Sequence, residues 1–162
     1  MGFLSGVFKK KELEIGSPAT GTCVSIKEVP DPTFSEEILG KGVAVKPSEG
    51  KFFAPAAGTV NTLFPTKHAV GITTQEGAEI LIHVGLDTVN LKGEHFTAHV
   101  KEGDSVEKGA LLLEADLAAI EQAGYNTITP VLICNTGDFA DVVPDIAGEV
   151  ALGACVLRIK LK

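Results

Sequence analysis

From Glu14 onward the hydrophobic and polar positions follow a β pattern: short apolar runs separated by single turn residues. Gly42-Val43-Ala44-Val45, Ile80-Leu81-Ile82 and Val131-Leu132-Ile133-Cys134 are of strand length and rich in β-branched residues. One stretch, residues 115–122, predicts a short helix that stops at Gly124, and a further helical turn is expected over residues 138–142. A degenerate repeat marks the corners: Ser17-Pro18-Ala19-Thr20-Gly21-Thr22, Ala54-Pro55-Ala56-Ala57-Gly58-Thr59 and Pro144-Asp145-Ile146-Ala147-Gly148-Glu149-Val150 each set a glycine ahead of a strand. Gly103 and Gly109 bound another turn. Recurring corners of this kind predict an all-β fold, an antiparallel β-sandwich or barrel-sandwich with internally duplicated halves and one or two very short helices.

Residues 1–13 read differently. Phe3, Leu4, Val7 and Phe8 fall at helical spacing and Lys9, Lys10 and Lys11 follow, which suits a flexible amphipathic segment making weak contact with an anionic bilayer. Residues 14–162 are expected to form one domain.

Composition narrows the partners. A net charge of −7 with a pI near 5.1 argues against nucleic acid and favours a protein partner with a basic face. Cys23, Cys134 and Cys155 are widely spaced and odd in number, so they are expected to be buried free thiols in a reducing compartment. No apolar run reaches the ~20 residues of a membrane span. The N-terminal lysines follow the apolar part instead of preceding it, and Gly6 stands where a myristoylation pattern requires Ser or Thr. The expected location is the cytoplasm, with peripheral contact at the inner face of the membrane.

The candidate chemistry lies in residues 66–89. Two strand-like runs flank the turn Gln75-Glu76-Gly77. A hairpin closing on Gln75-Glu76 sets His68 opposite His83, and a bulge at Gly77 would shift the register by one while keeping the imidazoles adjacent. Paired imidazoles can bind a metal, exchange protons or pass a phosphoryl group. A zinc site would need a further ligand, and no GxSxG or similar nucleophile motif is present. Phosphoryl transfer needs only a neutral ring nitrogen in line and offset of charge, with the second histidine donating to phosphoryl oxygens and Thr66 fixing its tautomer. Residue chemistry alone leaves phosphotransfer, metal binding and a structural role open.

The run from Gly77 to Val89 (Gly-Ala-Glu-Ile-Leu-Ile-His-Val-Gly-Leu-Asp-Thr-Val) closely resembles the phosphorylation-site signature of the glucose-type IIA component of the bacterial sugar phosphotransferase system. Thr66-Lys67-His68-Ala69 resembles that family's second-histidine motif, and Phe53-Ala54-Pro55-Ala56-Ala57-Gly58-Thr59-Val60 its proline–glycine corner. Val29-Pro30-Asp31-Pro32-Thr33-Phe34 and Leu91-Lys92-Gly93-Glu94 extend the match, which runs from about Ile15 to the C-terminus. The resemblance implies a phosphocarrier and a β-sandwich with almost no helix. It implies that His83 takes a phosphoryl group from the phosphocarrier HPr and gives it to a cysteine of the IIB domain of a sugar permease. In that reading His68 stabilises the phosphoryl group, Thr66 orients His68, and Asp87 stands in support. No cofactor is implied beyond the covalent phosphoryl group. Phe34, Ile38, Leu39, Phe64, Leu81 and Val89 are the candidate apolar docking residues, and Asp31 and Asp87 an acidic fringe. Regulatory targets that bind the unphosphorylated form belong to the same expectation. His95 departs from the family pattern, which has glycine there; it and His99 are expected to be exposed and inert.

Two rival readings fare worse. A lysostaphin-like zinc peptidase needs an HxH pair, and no two histidines are two apart; His68 and His83 alone would need a partner's carboxylate to share a zinc ion. A lipoyl or biotinyl carrier needs a modified lysine at a hairpin tip, and Lys51 and Lys67 lack the flanking residues for it.

Overall fold

The computed structural model describes residues 11–146 and 148–162; the amphipathic stretch expected near the N-terminus lies largely outside them. The chain opens with β1 (Glu12–Gly16) and β2 (Gly21–Ser25), so β-structure starts two residues before the sequence pattern. A 3-10 turn and the four-residue helix α1 (Pro32–Ser35) lead to β3 (Lys41–Pro47) and β4 (Lys51–Phe53). The centre holds β5 (Gly58–Leu63), β6 (Ala69–Thr74) and β7 (Glu79–His83), then β8 (Phe96–Ala98), β9 (Ser105–Val106) and β10 (Leu111–Ala115). Helix α2 (Leu117–Gln122) precedes β11 (Thr129–Ile133), β12 (Asp141–Pro144), β13 (Gly148–Val150) and β14 (Cys155–Lys160). The three corner glycines Gly21, Gly58 and Gly148 each open a strand, as the repeat predicts.

All pairings are antiparallel. An eight-stranded sheet in the order β13-β2-β3-β11-β7-β6-β5-β9 is accompanied by two three-stranded sheets, β1-β14-β12 and β4-β10-β8. The result is a β-sandwich. Ile15, Val43, Val45, Ile80, Val131, Ile133, Leu157 and Ile159 fill one core cluster, and Phe52, Val70, Ile72, Ile82, Leu112 and Leu113 another. Strand alternation then sends Ala44 and Leu132 to the opposite face, where Val24, Ile26, Val29 and Phe34 cover them with Leu81 packed alongside. That covering segment brings α1 to the end of β7.

Two expectations need correction. Residues 138–142 are no helical turn: a 3-10 turn over Thr136–Asp138 gives way to β12, because Val142 is buried in the β12–β14 ladder opposite Ile159. Helix α1 was not expected, although Asp31 and Pro32 announce it: Asp31 caps the Thr33 N–H at 3.0 Å and Pro32 occupies the first turn. The cysteines are free, but only Cys23 is buried; Cys134 is exposed just past the end of β11, and Cys155 is half-buried. No helix among the described residues is long and apolar enough to cross a membrane.

The β6–β7 hairpin sets the site. Gly77 N–H donates to the Thr74 carbonyl at 3.0 Å and Thr74 N–H to the Ala78 carbonyl at 2.9 Å. Gly77 has φ +90°, the added residue of a bulge that follows a tight turn. The register is therefore the shifted one, with Thr73 opposite Glu79 and Ala69 opposite His83. On the other side of β7, the ladder to β11 ends at Ile82–Val131. The next residue of β11 is Pro130, which has no N–H to donate. His83 thus sits where its strand is freed on one edge.

A Cβ on Gly77 meets nothing within 4 Å, so Gly77→Ala tests backbone strain alone. It is expected to cost about 1 kcal/mol, with Gly77→Asn costing less because asparagine tolerates the left-handed region; urea unfolding of the two variants gives the comparison.

Candidate functional site

The hairpin and its flanks place four rings in a row. His83 and His68 have centroids 4.8 Å apart at an interplanar angle of 84°. Phe34 lies against His83 at 5.0 Å and Phe64 against His68 at 5.3 Å. His68 does not face His83 directly. It stands one residue beyond the last β6 pair, after a turn in which Lys67 adopts φ +60°, and its carbonyl accepts the Val84 N–H at 2.7 Å. Because His68 precedes β6, strand alternation does not govern its side chain, and the ring folds over to meet His83.

Each histidine is tethered through Nδ1. His83 Nδ1 donates to the Gly85 carbonyl at 2.7 Å, which leaves Nε2 without a hydrogen while the ring is neutral. His68 Nδ1 pairs with the Thr66 hydroxyl at 2.7 Å. All buried side-chain nitrogens and oxygens among the described residues have hydrogen-bond partners, whereas neither Nε2 has one. His68 is only 2% exposed overall, and His83 is half-buried.

Burial sets the protonation. It pushes His68 down to about 4, helped by the neighbouring His83 ring. His83 is also lowered by burial, while the Gly85 carbonyl and the carboxylates of Asp31 and Asp87 oppose the shift. Both rings are neutral near pH 7. Asp31 and Asp87 stand close enough to His83 for their charge to be felt, Asp31 as the cap of α1 and Asp87 with φ +58° ahead of the 3-10 turn over Thr88–Leu91.

The docking candidates divide. Ile38, Leu39, Phe64 and Val89 are exposed, at 67%, 41%, 36% and 47%. Leu81 is half-buried. Phe34 is 4% exposed, so it serves as a wall behind His83 instead of contact surface. His95 is half-buried instead of exposed, with φ +76°, a conformation that glycine adopts without steric cost. His99 Nε2 pairs with Glu114 at 2.6 Å on the β8–β10 face. Among the described residues no three His, Cys, Asp or Glu side chains are grouped to hold a metal, so a metal on the two imidazoles would need ligands from outside the chain. The Gly85 carbonyl was not singled out in the sequence; the glycine two residues after His83 was its signal.

The profile described as phosphoenolpyruvate-dependent sugar phosphotransferase system, EIIA 1, matches residues 13–139. The chain belongs to that family and is a phosphotransferase component of the sugar phosphotransferase system. It is 47% identical over 143 residues to a glucose-specific EIIA component of Oceanobacillus iheyensis, covering 88% of this chain and 87% of that one. It is 53% identical over 146 residues to a β-glucoside-specific EIIBCA component of Halalkalibacterium halodurans, covering 90% of this chain but 23% of that longer protein. The solved glucose permease IIA of Mycoplasma capricolum superposes with a TM-score of 0.84 at 37% identity, covering 92% and 96% of the two chains.

The depressed His68 pKa has a consequence for stability. Below pH 6.5 the unfolded chain binds a proton that folded His68 refuses until about pH 4, so stability is full above 6.5 and falls as pH drops through that window. Between pH 7.5 and 5 the loss is expected to be about 2 kcal/mol. Urea unfolding of the wild type and of His68→Gln at both pH values checks it: the variant should lose this part of the pH dependence.

Proposed function

We propose that the chain is a phosphocarrier that takes a phosphoryl group from phospho-HPr on Nε2 of His83 and donates it to a cysteine of a sugar-specific IIB domain. The supporting observation is the His83 Nδ1–Gly85 hydrogen bond at 2.7 Å, which leaves Nε2 without a hydrogen on a ring kept neutral by burial. That nitrogen attacks phosphorus, the N–P bond to the donor breaks, and a new N–P bond forms at His83. The Thr66 hydroxyl donates to His68 Nδ1, so His68 carries its hydrogen on Nε2 and offers it to a phosphoryl oxygen. In the second half-reaction the acceptor thiolate attacks phosphorus and His83 leaves as neutral imidazole.

The exposed Ile38, Leu39, Phe64 and Val89 supply the apolar contact surface for a partner, and Asp31 and Asp87 greet a cationic one. A IIB acceptor is in keeping with a relative named EIIBCA whose sequence includes a segment 53% identical to this chain. Action in the cytoplasm follows from these partners.

Incubation with phosphoenolpyruvate, enzyme I and HPr should add one acid-labile phosphate, measured by intact mass. His83→Ala is expected to remove it completely. His68→Ala should still be labelled but pass the group to glucose- or β-glucoside-specific IIB domains at least about 100-fold more slowly, a loss of the size seen when a preorganised donor to a developing charge is removed. Labelling that survives in the His83 variant would defeat the assignment.

A further inference from the structure

The tautomer of His83 is held by a turn, and that turn is itself held from behind. The Gly85–Leu86 peptide is bonded at both ends: its carbonyl accepts from His83 Nδ1 at 2.7 Å, and its N–H donates to the Asn126 carbonyl at 2.9 Å. Such a chain polarises the peptide and strengthens the bond to the ring. The preceding residue is fixed too. Val84 N–H donates to the His68 carbonyl at 2.7 Å, and the Val84 carbonyl accepts from Thr88 Oγ1 at 2.6 Å. Between these anchors Gly85 turns with φ +80°.

Thr88 occupies the inside of this turn. It is 0% exposed, and its methyl carbon lies 2.6 Å from where a Cβ on Gly85 would stand. Its hydroxyl bonds the Val84 carbonyl and not an imidazole nitrogen. A buried hydroxyl is retained at a cost in solvation that an aliphatic side chain of the same shape would avoid, unless the bond it makes is needed.

We infer that Thr88 is a positioning residue for His83: its hydroxyl clamps the Val84 carbonyl, which aims the Gly85 carbonyl at Nδ1 and keeps the attacking nitrogen bare. This rests on the reading of His83 as the phosphoryl acceptor. Without the clamp the Val84 carbonyl is buried and unpaired, the turn shifts to satisfy it, and His83 loses the acceptor that selects its tautomer. A neutral imidazole left to itself favours the hydrogen on Nε2, the atom that must attack.

Thr88→Val keeps the shape and removes the hydroxyl; Thr88→Ser keeps the hydroxyl and removes the methyl. Ring 15N–1H spectra of free protein at pH 8 report the tautomer, and the initial rate of labelling from phospho-HPr reports the chemistry. Wild type and Thr88→Ser are expected to show His83 with hydrogen on Nδ1. Thr88→Val should lose that signature and label about tenfold more slowly, the size of one hydrogen bond. If Thr88→Val does not fold, Thr88→Ala against Thr88→Ser isolates the same hydroxyl. A hydroxyl-free variant that keeps both the Nδ1 hydrogen and the wild-type rate overturns the inference. Wild type that shows the Nδ1 hydrogen yet accepts no phosphate from phospho-HPr overturns the acceptor reading instead, and the spectra still decide the role of Thr88.

Discussion

The chemistry of this site hangs on one hydrogen bond, from His83 Nδ1 to the Gly85 carbonyl. An imidazole has two chemically similar nitrogens, and a neutral one can place its hydrogen on either. A carbonyl two residues along the chain makes the choice, and the other nitrogen keeps its lone pair free. Burial completes the arrangement by keeping protons away from both rings. The neighbouring carboxylates of Asp31 and Asp87 limit how far His83 is depressed, which in the proposed reaction keeps the ring basic enough to attack phosphorus.

The fold supplies the geometry by simple means. A bulged turn at Gly77 fixes the hairpin register, and Pro130 ends the pairing of β7 with β11 just before His83. The chain then leaves the sheet at Val84 and turns on Gly85. The segment from Ile26 to Phe34 lies over the outer face of the sheet, fills it with apolar side chains, and ends with the Phe34 ring against His83. Phe64, itself exposed, lies against His68 on the other side of the pair.

Much of this was legible in the residues. The strands around Val43, Ile80 and Val131, the helix after Ala115 and the glycine-led corners follow from periodicity and turn chemistry. The adjacency of His68 and His83 follows from the position of one turn. What sequence left open has physical causes. Turn residues alone do not separate a two-residue loop from a bulged one, so the register was uncertain by one. Apolar character does not tell wall from surface, and Phe34 proved to be wall. Residues 138–142 carry too few side chains to reveal that Val142 is claimed by a long-range ladder with β14. Main-chain carbonyls carry no sequence signature of their own, and the one that orients His83 belongs to a glycine.

The most direct measurement is the 31P and 15N NMR spectrum of the protein phosphorylated through HPr, which distinguishes phosphorus on the two ring nitrogens. Phosphorus bonded to Nε2 of His83, with Nδ1 still carrying its hydrogen toward the Gly85 carbonyl, is the expected result. Phosphorus on Nδ1 of His83, or on His68, would contradict the account.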